Sequence, residues 1–133
     1  MASGIYSRFK ANLMNKVVDL EADTIKVALY DNSHSFTATD TDYTTTNELA
    51  TTGGYTQGGA TLAGKAVTEA STTKWDATDL DWTSATFTAY HAVIYDSTAG
   101  NDLICSIDFG GAKTVASGTF TIQWDSAGII TLA

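Results

Sequence analysis

The chain has 133 residues, 44% of them hydrophobic and 17% charged, which is enough for one domain with a modest hydrophobic core. Its formal net charge of -8 and sequence pI near 4.3 oppose contact with a phosphate backbone, so we expect no nucleic acid partner. No apolar run has the length of a membrane span or the layout of a signal peptide, and one cysteine forms no intrachain disulfide; we expect assembly in a reducing cytoplasm without a membrane partner.

The N-terminal segment has the pattern of an amphipathic helix. Ser3 is a suitable N-cap, and apolar residues recur every four positions up to about Val18. The members of this stripe are Ile5, Phe9, Leu13 and Val17. The N-terminal segment is also basic, with Arg8, Lys10 and Lys16 off the stripe and Lys26 after the helix. These residues either contact an acidic protein surface or form a solvated face.

After residue 23 the apolar period changes from four to two. Ile25, Val27 and Leu29 alternate with other residues, which predicts the first strand. Residues 31–60 then form a long polar segment rich in Thr, Asp and Gly, which predicts a loop. A loop of this length in a small domain usually has a function, and we expect it to become ordered against a partner.

The remainder, residues 61–133, predicts a β-rich body. The chain contains 23 threonines and no proline, a composition that favours strands joined by glycine-containing turns. The predicted strands are 61–70, 72–77, 80–87, 89–96, 102–109, 118–125 and 129–132. Residues 90–95 are apolar on both faces, which is typical of a central strand. We therefore predict a single, mainly all-β domain over 1–133: a two-sheet sandwich or jelly roll of about eight strands with one N-terminal helix.

No pattern of residues predicts catalysis. His34 lies in the polar loop and His91 inside a predicted strand, where a core or interface histidine is the better interpretation. Cys105 alternates with Leu103 and Ile107, which indicates a small buried side chain. We therefore expect neither a catalytic triad nor a zinc site, and no cofactor.

Two other groups of residues allow a ligand site. Asp76, Asp79 and Asp81 fall within six positions, but their spacing matches no calcium loop and a solvated acidic turn is favoured, so we predict no metal. Trp75 and Trp82 bracket this turn and either fill the core or stack on a sugar, with the core favoured. Trp124 shares a strand face with other apolar residues and is predicted to lie in the core.

Several motifs in order resemble a family of small structural proteins of tailed-phage virions, some of which resemble capsid cement, or decoration, proteins. A helix over residues 5–15 precedes D-x-x-x-D-T-I-K-V-x-L at 19–29, and L-x-G-K-x-V follows at 62–67. The pair A-V-I-Y-D and L-I-x-x-I-D-F stands at 92–96 and 103–109, and F-T-I-x-W-x-x-x-G-I-I closes the series at 120–130. The resemblance transfers no catalytic residue, because the family supplies none.

The resemblance implies a non-enzymatic cement protein on the outer surface of the capsid, which binds the major capsid protein and bridges capsomers. A homo-oligomer, dimer or trimer, is expected because a small sandwich has edge strands to cover. We predict that the helix and the loop form the contacts. The residues are Ile5, Arg8, Phe9, Leu13, Thr39, Tyr43 and Tyr55. The alternatives are a tail, collar or head-fibre component, and a carbohydrate-binding module using Trp75 and Trp82.

Overall fold

The computed structural model describes residues 3–133, in which two antiparallel sheets and one short helix provide the regular structure. The elements are β1 (Gly4–Ile5), α1 (Ser7–Met14), β2 (Ile25–Tyr30), β3 (Ala60–Thr61), β4 (Ala66–Thr68), β5 (Thr73–Asp76), β6 (Leu80–Asp96), β7 (Asp102–Ile122) and β8 (Ile130–Leu132). The sheets have the orders β1-β7-β6-β2-β3 and β4-β5-β8. The prediction of a mainly β, two-sheet sandwich with an N-terminal helix is confirmed.

The main core lies between the two sheets. Ile25, Val27 and Leu29 of β2 point into it, as their alternation predicts, and meet Trp75 and Ile130 of the smaller sheet. Burying these large apolar side chains contributes roughly 1.5–3 kcal/mol each to folding.

A second apolar cluster covers the opposite face of the five-stranded sheet. It is built on Ala28, Tyr30, Val93 and Tyr95, which alternate with the residues of the main core. Strand β6 is therefore buried on both faces between β7 and β2, which confirms the prediction of a central strand.

The helix is shorter than predicted. Gly4 and Ile5 pair with Ser106 and Cys105 as a strand, and the Ser3 hydroxyl accepts a hydrogen bond from the Asp108 N–H at 2.9 Å instead of capping a helix. The helix ends at Met14, because Lys16 adopts the left-handed conformation with φ of 59°. Of the predicted stripe, only Phe9 and Leu13 are helical.

Four predicted strands form two long ones. Residues 80–87 and 89–96 join in β6, and 102–109 and 118–125 join in β7, which ends at Ile122. Irregular pairing bends this hairpin without interrupting it, with Ser84 and Ser117 each at φ of 49°. Bulges of this kind increase the local twist, and Trp82, Ala85 and Ile122 of the far half of the hairpin belong to the main core.

The predicted strand 61–70 is divided in two. Residues 60 and 61 pair with β2 in the larger sheet, whereas Ala66–Thr68 pairs with β5 in the smaller one. Gly64 lies between them at φ of 63°, where the chain crosses from one sheet to the other. The strands predicted at 72–77 and 129–132 are present as β5 and β8.

Cys105 is buried, as predicted, but its neighbours are not all on its own face. Cys105 pairs with Ile94, and Leu103 pairs with the adjacent Tyr95, so one extra residue is inserted in β7. This irregularity places Cys105 in the main core and Leu103 in the opposite cluster.

Residues 31–59 pack on the protein's own sheet, which corrects the expectation that this loop needs a partner to become ordered. The Leu49 N–H donates to the Leu29 carbonyl at 3.0 Å, and the Thr86 N–H donates to the Gly53 carbonyl at 2.8 Å. Gly59, at φ of 83°, approaches so closely that a Cβ there would lie 2.0 Å from the Val27 carbonyl oxygen. Backbone hydrogen bonds and the packing of Tyr55 and Leu49 on the main core therefore order the loop.

Candidate functional site

An apolar groove opens where α1 and the residues after it diverge from the smaller sheet. Its floor is formed by Phe9, Trp75 and Ile130, which belong to the main core. The groove has a volume of about 370 Å³. The main core therefore continues to the protein surface at this point.

The rim of the apolar groove carries exposed apolar side chains. Of the five large hydrophobic residues that are exposed within residues 3–133, four line the groove, and Met14 follows Leu13 in the chain. The set is Leu13, Met14, Val17, Val67 and Leu132. Single exposed apolar residues are ordinary, but a contiguous group of them marks an interaction surface.

Sheet register explains why distant residues meet here. Val67, Trp75 and Ile130 lie side by side across β4, β5 and β8, and Thr73 pairs with Leu132 two positions along. Side chains two apart on a strand point to the same face, so all five line the inner face of the smaller sheet. The helix is too short to cover this end of it.

The charges along the groove differ from those of the whole chain. Lys16, Lys74 and Asp19 line it, which gives two cations and one anion in a protein of net charge -8. The Lys74 ammonium group donates to the Ser126 carbonyl at 2.9 Å, and Ser126 lies outside the groove lining, so this charge is directed away from the groove. Lys16 and Asp19 remain as one cation and one anion, so the groove lacks the excess of negative charge of the whole chain.

The predicted contact residues of the N-terminal segment are divided between the core and the surface. Phe9 is buried in the main core and Ile5 packs against it, so neither offers its side chain as an exposed contact. Arg8 is exposed and lies 3.8 Å from the Asp102 carboxylate, away from the groove lining. Leu13 alone of this set lies on the groove rim.

The predicted contact residues of the loop also differ in their exposure to solvent. Tyr55 is buried in the main core and is removed from the candidate contact surface, whereas Thr39 is exposed. Tyr43 is partly buried and stacks on Tyr95 with ring centroids 4.4 Å apart. The loop residues and the groove residues form no common surface, since none of the three loop residues lines the groove.

A buried glutamate holds the loop in place. Glu48 accepts hydrogen bonds from the hydroxyls of Tyr43 and Tyr55 and, at 2.8 Å, from the Gly58 N–H. Burial, together with the neighbouring Glu48 carboxylate, raises the pKa of both tyrosines far above their ordinary value. This role could not be predicted from the sequence, because an acidic residue in a Thr-rich segment resembles a solvated one.

His34 of the loop and His91 of β6 lie side by side, although they are 57 positions apart in the chain. Their ring centroids are 5.0 Å apart, and His34 Nε2 lies 3.0 Å from the Ser106 hydroxyl. Burial lowers the pKa of both imidazoles, and for His91 the nearby Asp108 carboxylate opposes this effect. Ser106 is itself buried, so the arrangement fastens the loop to β7 rather than presenting a nucleophile.

Two of the three tryptophans lie where the sequence predicts, and the third does so only in part. Trp75 and Trp82 are buried in the main core, which agrees with the core interpretation and not with a sugar-stacking role. Trp124 is only partly buried and lies beyond the end of β7, so its prediction as a core residue is only partly correct. It lines a separate cleft of about 480 Å³.

The three carboxylates of the acidic turn do not converge on one point. Asp76 accepts from the Ala77 N–H, Asp79 from the Trp124 N–H, and Asp81 from the Thr121 hydroxyl. Nowhere in residues 3–133 do three or more His, Cys, Asp or Glu side chains form a group able to hold a metal ion. Within the same residues no helix has the length and apolar character to cross a bilayer.

Asp96 and Asp23 form a carboxyl pair that the sequence did not reveal. Asp96 is 1% exposed, and its Oδ1 accepts from the N–H groups of Thr98 and Ala99. Its Oδ2 is buried without a donor among the described residues, and burial beside Asp23 raises the pKa of Asp96 to about 7. A protonated Asp96 satisfies this oxygen by donating to Asp23, whose own pKa is lowered.

Comparison with protein-family models, with curated proteins and with solved structures found no match to this chain.

Proposed function

We propose that this chain is a non-enzymatic structural subunit of a tailed-phage virion, which binds the outer surface of the major capsid lattice and stabilises the head by bridging capsomers. The ordered motifs that resemble phage structural proteins support the virion assignment. The apolar groove supports action by binding another protein, and it is the observation that carries the proposal.

The partner's chemistry follows from the lining of the groove. A bound side chain would contact Phe9 and Trp75 of the core, which favours an apolar group at the centre of the contact. Lys16 favours a carboxylate beside that group. The groove therefore suits a capsid-protein segment that carries apolar side chains next to an acidic residue.

A second copy of this chain suits the groove less well. Four of the five exposed large apolar side chains of residues 3–133 line the groove itself, and the fifth, Met14, adjoins Leu13 in the chain, so no separate described surface offers one for insertion. Two grooves facing each other would bring their Lys16 side chains together. Self-association would instead use the outer edge of β7 beyond Asp108, because β1 pairs only with Cys105 and Ser106 and the Asp108 N–H donates to the Ser3 hydroxyl.

The first test is the copy number of this chain in purified virions, measured by quantitative peptide mass spectrometry against the major capsid protein. A ratio near one, or a simple fraction such as one third, supports the lattice-wide role. A few copies per particle would move the protein to the tail, collar or head fibre. Complete absence from virions would overturn the proposal.

The second test addresses the groove directly. Purified variants are added to protein shells that lack this subunit, and the bound fraction is measured by co-sedimentation. Val17→Asp and Leu132→Asp each place a charge in the groove, at exposed sites, and should weaken binding at least about tenfold. Asn32→Asp adds the same charge at an exposed turn away from the groove and should bind like the original chain. Unchanged binding of both groove variants would exclude the groove as the contact.

A further inference from the structure

A second opening, which we call the aromatic cleft, lies between β7 and the turn before β8. Phe109, Phe120 and Trp124 provide aromatic surface, and all three are partly buried. Three exposed polar residues also line the cleft: Lys113, Gln123 and Asp125. The aromatic cleft shares no lining residue with the apolar groove.

The aromatic surface is held rigidly from behind. Phe120 packs edge-on against buried Trp82, with ring centroids 6.0 Å apart, and its centroid lies 5.1 Å from that of Phe87. Trp124 is fixed at both of its N–H groups: the backbone N–H donates to Asp79 at 2.9 Å, and Nε1 donates to the Thr78 carbonyl at 3.2 Å. A ligand would therefore meet preformed rings, with little entropy lost in ordering them.

The polar side chains of the aromatic cleft suit a ligand that carries many hydroxyl groups. An amide both donates and accepts hydrogen bonds, an ammonium donates and a carboxylate accepts, as sugar hydroxyls require. One cation and one anion leave the rim without net charge, which favours a neutral ligand. The apolar groove differs, since exposed apolar residues surround it.

We infer that the aromatic cleft is a binding site for a neutral oligosaccharide, with sugar C–H faces stacked on Trp124 and Phe120 and hydroxyls bonded to Gln123, Lys113 and Asp125. The volume of about 480 Å³ lies within the roughly 300–1,000 Å³ typical of small-ligand sites. The backbone N–H and the indole Nε1–H of Trp124 are both engaged within the protein, so Trp124 contributes its ring surface only. The site is independent of capsid binding.

The test uses the full chain and soluble hexamers of glucose, of mannose and of N-acetylglucosamine, with a sialylated oligosaccharide as the charged comparison. Binding is measured by calorimetry and by iodide quenching of tryptophan fluorescence. Trp75 and Trp82 are buried, so quenching reports chiefly on Trp124. We expect saturable binding of at least one neutral hexamer, weaker binding of the sialylated one, and protection of Trp124 from iodide.

Variants then locate the site. Gln123→Ala and Lys113→Ala alter exposed side chains and should each weaken binding about tenfold, the loss of one hydrogen bond, with the fold unchanged by circular dichroism. Thr119→Ala, exposed on β7 but outside the cleft, should bind normally. The inference is overturned if no neutral hexamer binds at millimolar concentration, or if both rim variants bind like the original chain. Protection of Trp124 by self-association in the absence of sugar would also overturn it.

Discussion

Tyr55 donates a hydrogen bond to Glu48 Oε2 at 2.5 Å, and the same hydroxyl accepts one from the Leu29 N–H at 3.0 Å. One side chain thus joins the loop over residues 31–59 to the central part of the larger sheet.

Tyr55→Phe should destabilise the protein by about 2–3 kcal/mol, because it removes both hydrogen bonds and leaves a buried carboxylate with one donor fewer. Urea denaturation measures the free energy of unfolding. Tyr90→Phe removes a hydroxyl from a partly exposed strand position and should change it by less than about 0.5 kcal/mol. Equal effects of the two substitutions would contradict a special role for Tyr55.

Gly59→Ala should destabilise the fold by at least about 2 kcal/mol more than Gly100→Ala. Both glycines have positive φ, 83° and 65°, so both substitutions carry the left-handed backbone cost. Only at Gly59 would the new Cβ collide with backbone, 2.0 Å from the Val27 carbonyl oxygen; at Gly100 nothing lies within 4 Å. Thermal unfolding of the pair measures the difference. Similar melting temperatures would show that the loop can move away from β2.

The Asp96 carboxyl should make stability fall as pH rises. Its pKa is about 7 in the folded protein against 3.8 for the ordinary group, so the folded state holds a proton that the unfolded state releases. The stabilisation is complete below pH 3.8 and is lost as pH rises through about 7.

Asp96→Asn keeps a neutral side chain whose amide can donate to Asp23, so this contribution disappears. We expect the unfolding free energy of the original chain, relative to that of the variant, to decrease between pH 5 and 8. Urea denaturation at several pH values measures it. A difference that is constant or increases over this range would contradict the shared proton.

Cys105 should resist thiol reagents until the protein unfolds. Burial raises the pKa of its thiol to about 12, which makes the thiolate fraction at pH 8 roughly a thousandfold lower than that of a free cysteine. Reaction with a disulfide reagent should therefore be slow in buffer and fast in urea. Ala112→Cys adds an exposed thiol in the same strand and should react rapidly without denaturant. Rapid modification of Cys105 in buffer would contradict its burial.

Alternating apolar residues predicted most strands but not their limits. Residues 80–87 and 89–96 are predicted as separate strands, yet their pairing with β7 is regular from Phe87 to Ala89 and continues through irregularities on either side. A bulge shifts the alternation without ending the strand, so sequence periodicity alone cannot distinguish it from a turn. The predicted helix is longer than the observed one for a related reason. Apolar spacing does not show where the backbone becomes left-handed, as it does at Lys16.

The candidate groove was only partly predictable. Leu13 and Val17 belong to the apolar stripe recognised in the sequence, but Val67 and Leu132 join them only through the register of β4, β5 and β8. The assignment of Tyr55 to the contact surface is wrong because an isolated apolar residue in a polar segment gives no indication of which side it faces. The assignment of Phe9 is wrong because an apolar stripe on a helix can pack on the protein's own core as well as on a partner. The roles of Glu48 and Asp96 likewise depend on burial, which one sequence does not reveal.

The long hairpin of β6 and β7 also constrains the order in which the protein folds during synthesis. Strands β1 and β2 leave the ribosome first, but they pair with β7 and β6, which are made much later. The hairpin, closed by residues 97–101, begins with pairs close in sequence such as Asp96 and Asp102, so its turn end should form first and then recruit the N-terminal strands. Pulsed hydrogen exchange during refolding should show protection of Val93 and Ser106 before that of Val27, and the reverse order would exclude this route.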